Sequence, residues 1–156
     1  MVRVDARFWF DPSCPYTWVT SRWMRELERL DLLRVEWRVM SLSVLNEHRD
    51  DDPEDDPEGY LWGPARLFAA VQHRYGPDAV GALYDVFGAM VHGSEDGWRP
   101  AGDILTAAGL PRMPALVFVC LYTSEAESMT ASELAARLEV SLAAISSAVR
   151  FLAPAG

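Results

Sequence analysis

The segment Arg7–Trp23, RFWFDPSCPYTWVTSRW, constrains the fold of this chain more than any other. An aromatic, β-prone run (Phe8, Trp9, Phe10) is stopped by Asp11-Pro12, and a helical pattern begins at Pro15, directly after Cys14. Proline suits the first turn of a helix, because its missing N–H would have had no partner there. From Trp18 to Leu33 the apolar residues Trp18, Val19, Trp23, Met24, Leu27 and Leu30 recur at spacings of three and four. Arg22, Arg25, Glu26 and Glu28 hold the other face. Period two then returns over Leu33–Val44, with Val35, Trp37 and Val39 facing one way. Taking Val2–Phe10 as the first strand, the spacing predicts a strand–helix–strand unit with parallel strands.

A thiol at such a joint stands where the partial positive charge and free N–H groups of a first helical turn favour thiolate over thiol. That form is the nucleophile, so Cys14 points to sulfur redox chemistry; the plainer alternative is a small buried hydrophobe. Cys120 sits in an apolar run and reads as core rather than as a resolving thiol. Two cysteines make no disulfide framework, which favours a reducing compartment. No charged-then-apolar leader opens the chain and no apolar run is long enough to span a bilayer, so the expectation is a soluble, cytoplasmic protein without a membrane partner. All 14 basic residues are arginine, and the net charge of −9 argues against a surface built for phosphate backbones.

Asp50–Glu58, DDDPEDDPE, breaks all periodicity. Like charges and prolines predict a solvated loop, whereas a metal loop would need a regular ligand spacing that is missing. His48, His73 and His92 also lack metal-ligand spacing and read as surface or helix-face residues. Three helices are expected at Gly59–Tyr75, Asp78–His92 and Ala101–Ala108, and a boundary near Leu110-Pro111 divides residues 1–110 from 111–156. Beyond it Pro114–Ser124 is apolar. Thr130 and Glu133 form a capping box for Thr130–Leu138, and Ser141 caps Leu142–Leu152 after the turn Glu139-Val140-Ser141. Two short helices so closely joined make a helix-turn-helix pattern.

With FWFDPSCPYTWVTSRW, WRVMSLSVLNEHRDD and YLWGPARLFAAV in view, residues 4 to 110 resemble the DsbA-like thioredoxin-fold oxidoreductases of the mycothiol-dependent nitroreductase type. The resemblance implies that Cys14 is the attacking thiol, with Pro15 and Tyr16 inside the active-site tetrapeptide. Thr17 stands where better-studied members carry a second cysteine. A lone thiol cannot resolve its own mixed disulfide, so the implied chemistry is monothiol. Cys14 forms a mixed disulfide with mycothiol or a similar small thiol as co-substrate, or activates that thiol, and Thr17 is placed to donate to the thiolate. No bound cofactor and no metal is implied. Met40 and Ser41 are expected to line the site, and Trp18 and Trp62 to flank a flat acceptor substrate. The plain readings are core packing for Trp18, Trp23, Trp37 and Trp62, and a local cap for Ser41.

Residues 112–152, RMPALVFVCLYTSE and MTASELAARLEVSLAAISSAVRFL, resemble instead the helix-turn-helix core of MarR-type regulators. That resemblance implies a recognition helix at Leu142–Leu152 with Ser146, Ser147 and Arg150 toward DNA. Yet residues 111–156 hold three basic residues (Arg112, Arg137, Arg150) against four acidic ones (Glu125, Glu127, Glu133, Glu139), a poor balance for backbone contacts. The expected fold class is α/β: an incomplete thioredoxin-like βαβ with an inserted helical block, followed by an all-α helix-turn-helix segment, as though two proteins had been joined. The strands that would complete a thioredoxin fold are missing. The first strand then keeps an open edge, which a second copy could meet as a homodimer. Alternatively Pro114–Tyr122 replaces the strand, with a cis Met113-Pro114 bond, or the front half folds poorly; helix is favoured for this segment. The expected function is a thiol-dependent oxidoreductase acting through Cys14 on an unknown acceptor. The alternatives are a MarR-type DNA-binding regulator with a redox- or ligand-sensing first domain, and an inactive fusion product.

Overall fold

The structure, a computed structural model, describes residues 4–56, 59–95, 97, 100–124, 126 and 128–153. Val2 and Arg3 of the expected first strand, and Pro57 and Glu58 of the acidic run, lie outside the described residues. The chain divides into two compact units, Met1–Gly97 and Trp98–Gly156. The described residues form mostly helices, with one two-stranded parallel sheet.

The first unit holds the expected strand–helix–strand. Strand β1 (Val4–Phe10) runs into helix α1 (Pro15–Arg29) and then strand β2 (Leu33–Val39), and the strands pair in parallel from Val4 opposite Leu33 to Phe10 opposite Val39. The second strand stops at Val39, short of the predicted Val44. The Met40 N–H closes the ladder on the Phe10 carbonyl, and the chain turns into helix α2 (Leu42–Asn46). Ser41 caps that helix by accepting from the Val44 N–H, while a carboxylate oxygen of Asp11 takes the Leu42 N–H at 2.6 Å. These local polar bonds outcompete β pairing. Helices α3 (Trp62–Tyr75) and α4 (Pro77–Val91) follow, close to the predicted ranges.

The sheet is two-sided. Phe10, Val35 and Trp37 are buried on one face, where Phe10 stacks on Tyr84 at 3.8 Å and meets Phe68 edge-on at 5.5 Å. Side chains of this size each stabilise by about 1.5–3 kcal/mol when withdrawn from water. Alternate residues carry charge: Arg7 lies opposite Glu36 and bonds it at 2.7 Å, and Arg38 also meets Glu36.

Helix α1 departs from its expected burial. Val19 (69% exposed) and Trp23 (63%) face outward, whereas Ser21 is fully buried. The arginines pack instead: the Arg22 guanidinium lies 3.7 Å from the Trp18 ring centroid and that of Arg25 lies 4.2 Å from Trp37. Both bond Asp85, and Glu28 accepts the Val35 N–H. Long arginine stems cover apolar rings while their heads stay paired, and a period count cannot register this. Trp37 is core as read, but Trp23 is not.

The second unit is helical: α5 (Ala101–Ala107), α6 (Arg112–Tyr122), α7 (Ala131–Leu138) and α8 (Leu142–Leu152). The segment Pro114–Tyr122 is helix rather than replacement strand, and the described residues hold no cis peptide bond. The core of this unit is Val117, Cys120, Leu134, Ile145 and Ala148. The capping box forms as read: Thr130 takes the Glu133 N–H at 3.2 Å, and Glu133 returns a carboxylate to the Thr130 N–H at 2.7 Å. Helix α5, placed before the boundary in the sequence reading, falls in this second unit and packs on α6. No helix of the described residues is long and apolar enough to cross a membrane.

Candidate active site around Cys14

The turn between β1 and α1 is built on Asp11. Its side chain is almost wholly buried and accepts from the Ser13 N–H at 2.7 Å and the Leu42 N–H at 2.6 Å, tying the turn to the start of α2. Its carbonyl takes the Cys14 N–H at 3.1 Å. His92, at the end of α4, donates Nε2–H to the Pro12 carbonyl at 2.9 Å, which places that proton on Nε2. Cys14 is thereby held as the N-cap of α1 in extended backbone conformation (φ −85°, ψ 115°), with Pro15 beginning the helix. The thiol is half-buried, unlike Cys120 in the second unit, which is core as read.

Thr17 lies one helical turn on, but its hydroxyl is directed to main-chain carbonyls, those of Asp11 and Cys14, each at 3.0 Å. With its hydrogen so used, it accepts from the Tyr84 hydroxyl at 3.0 Å. Burial pushes the Tyr84 hydroxyl up to about 12; the Thr17 contact opposes this, and negative charge at Cys14 adds to it. Trp18 stands edge-on to Tyr84 at 5.7 Å and tilts toward His92 at 6.4 Å. Its ring covers Gly88 so closely that a Cβ there would come within 2.0 Å of Cε3.

Cys14, Pro15 and Tyr16 line a cavity of about 340 Å³ with Asp11, Ser13, Leu42, Pro53, Glu54 and Leu61. The Ser13 hydroxyl is buried and has no hydrogen-bond partner among the described residues. Met40 and Ser41 line a second, mainly apolar cavity of about 390 Å³ with Val44, Leu45, Ala65, Arg66 and Ala69. Trp62 is tied to the acidic stretch: its Nε1–H donates to Ser43 Oγ at 2.9 Å, and Ser43 donates to Asp56 at 3.0 Å. That stretch is therefore less free than a solvated loop. Asp56 also takes the Tyr60 and Leu61 N–H groups, and Asn46 donates to Glu54 at 2.7 Å. Among the described residues no group of three or more His, Cys, Asp or Glu is arranged to hold a metal. His48 and His73 are exposed.

Sequence reasoning thus located the thiol, its helix and the cavity lip, and missed Asp11 as a staple, Tyr84, His92 and Glu54. Gly81 and Gly88, seven apart on one face of α4, were the available signal, since both mark where Trp37 and Trp18 approach that helix. In the second unit Ser146, Ser147 and Arg150 are exposed on α8, with Arg150 Nε donating to the Ser146 carbonyl at 3.3 Å.

The model of one protein family, described as Rv2466c-like, mycothiol-dependent nitroreductase Rv2466c, matches residues 13–146. The match begins at the Cys14 turn and runs past the junction near residue 110, so one family accounts for both sides of it. The MarR-type resemblance and the reading of two joined proteins gain no support from it. From the Cys14 turn through most of the second unit, this chain belongs to the Rv2466c-like family of mycothiol-dependent nitroreductases.

Proposed function

We propose that this protein is a thiol-dependent oxidoreductase that works through Cys14 alone, with mycothiol or a similar small thiol as co-substrate. The βαβ front is read as part of a thioredoxin-like fold, and the setting as a reducing cytoplasm. The observation that carries the reading is a half-buried cysteine at a helix N-cap, opening on a cavity large enough for a small ligand. A helix N-terminus stabilises the anion that attack requires.

Position 17 holds a hydroxyl, so turnover draws both sulfur partners from solution. The Cys14 thiol and one small thiol pass two electrons and two protons to the acceptor and join as a mixed disulfide. A second small thiol attacks its own kind in that disulfide, taking the sulfur–sulfur bond and returning Cys14 as thiolate; its proton goes to solvent. Two thiols and one acceptor become one small disulfide and one reduced acceptor, such as a nitro group taken to nitroso and water. In this scheme Thr17 and Tyr84 position the turn, Ser13 supplies a hydrogen bond to sulfur or ligand, Trp18 stiffens the turn from behind, and Trp62 holds the acidic wall. Met40 and Ser41 offer an apolar groove to the acceptor. A second copy meets the free edge of β1.

DNA binding is not carried forward, since α8 bears a single charged residue, Arg150. Intact-mass analysis after exposure to an oxidised small thiol tests the proposal. One adduct on Cys14, none on Cys120, and none in Cys14→Ser is the expected result; an unmodified Cys14 would sink it.

A further inference from the structure

The cavity at Cys14 is closed on one side by a fixed carboxylate. Glu54 lines it together with the thiol's own turn, and it is not a swinging surface side chain. The Asn46 amide donates to its Oε2 at 2.7 Å, and its N–H is held by Asp52 at 3.0 Å. The stretch is anchored again at Asp56, through Ser43, Tyr60 and Leu61. Asp51, Asp52 and Asp55 add charge of the same sign from the same stretch, and the Arg49 guanidinium is turned to Asp51 with both bonds at 3.0 Å. Asp11 also lines it, but that carboxylate is buried and taken up by the Ser13 and Leu42 N–H groups, and the walls Pro15, Tyr16, Leu42, Pro53 and Leu61 carry no charge. An incoming molecule therefore meets a negative field at the mouth, and in a cleft with low-dielectric walls such a field is focused rather than dispersed.

Resting on the thiol chemistry proposed above, we infer that Glu54 makes this site selective by charge, admitting neutral and cationic small disulfides and turning away anionic ones. The step is simple exchange. The Cys14 sulfur attacks one sulfur of the disulfide, a Cys14–S–S–R bond forms, and the R–S–S–R bond breaks. The electron pair leaves on the other sulfur, which takes a proton from solvent. The disulfide is the oxidant, and Cys14 is oxidised. Charge on R acts on approach and on the leaving thiolate alike.

The test uses the full chain and three probes: cystamine (cationic), 2-hydroxyethyl disulfide (neutral) and 3,3′-dithiodipropionate (anionic). Rates of Cys14 adduct formation are read by mass and divided by the rates of the same probes with N-acetylcysteine amide, which removes their intrinsic reactivity. At low salt the cationic probe is expected to outpace the anionic one about tenfold, and about 1 M salt should compress the ratio to near unity. Glu54→Gln keeps an acceptor for Asn46 and should cut the ratio about threefold. Asp78→Asn, at the exposed start of α4, controls for overall charge and should leave it unchanged. Equal normalised rates, a ratio indifferent to salt, or an equal effect of Asp78→Asn would overturn the inference while leaving Cys14 reactive. No adduct with any of the three probes would remove the thiol reading itself, and this inference with it. If Glu54→Gln fails to fold, Glu54→Ala read against Asp78→Asn decides in its place, with the same loss of ratio expected.

Discussion

Tyr84 shows how far one residue can lie from legibility while packing behind the turn that holds Cys14. Its ring is fully buried against Phe10, Trp18 and Phe68, and its hydroxyl reaches Thr17 across 67 positions of chain. Nothing in PDAVGALYDVF separates this tyrosine from any other helical aromatic, because its importance comes from what the fold sets opposite it. The place of Cys14 at a helix start, by contrast, was legible, since Pro12 and Pro15, its neighbours in sequence, are what set it there. A hydroxyl pushed by burial from 10.0 to about 12 leaves a signature in stability. The folded state holds its proton more tightly than the unfolded chain, so the contribution is complete below pH 10. It is lost as pH rises toward 12, by about 2–3 kcal/mol in all. Tyr84→Phe is expected to cost about 1 kcal/mol at neutral pH and to abolish that alkaline decline relative to the unaltered chain. Denaturant titrations at pH 7 and pH 11 read both effects; an identical alkaline decline in the two proteins would refute the assignment.

Helices and strands were read well wherever the signal was local. Pro15, Thr130 and Ser141 each mark a helix start by their own chemistry, and each helix begins there. The second strand was read too long because its end depends on Asp11, a residue thirty-one positions earlier that captures the Leu42 N–H. The two faces of α1 were misassigned for a related reason: arginines stacked on tryptophans count as polar in any periodicity. Helix α7 is short, and the Thr130–Glu133 box satisfies donors at its first turn that water would otherwise serve. The Thr130 N–H and hydroxyl also hold the Glu133 carboxyl below its usual range. Thr130→Ala should destabilise the chain by about 1 kcal/mol, seen as an earlier urea midpoint at unchanged slope. Thr130→Ser should leave the midpoint near its original place.

At the scale of the molecule, the described residues hold a sheet of two strands, and β1 pairs among them on one side, with β2 alone. The Val4 N–H and Phe10 carbonyl both bond toward β2, so the peptide groups of Asp5, Arg7 and Trp9 point to the other edge. An antiparallel second copy could match Asp5 to Arg7 in both directions, a register in which opposite charges meet. Sedimentation of the full chain should show a dimer, and Arg7→Pro, which removes one outward N–H, should give a monomer that keeps its helical signal. A monomer at all concentrations for the unaltered chain would exclude this pairing. The sequence offered no strand pattern after Val44 that it favoured over helix, but it did not show what the later segment packs against. Val117, Phe118 and Val119 in Pro114–Tyr122 suit a strand, yet the segment packs as helix on Leu134 and Ile145, contacts that no local pattern records. That packing also seals Cys120 within the interior of the second unit, its sulfur 4.0 Å from that of Met129. The chain thus carries one reachable thiol, Cys14, and one locked away, Cys120, in separate units. Alkylating agents would count the first at once and the second only when its helices part, giving the protein an inbuilt clock for the breathing of its C-terminal half.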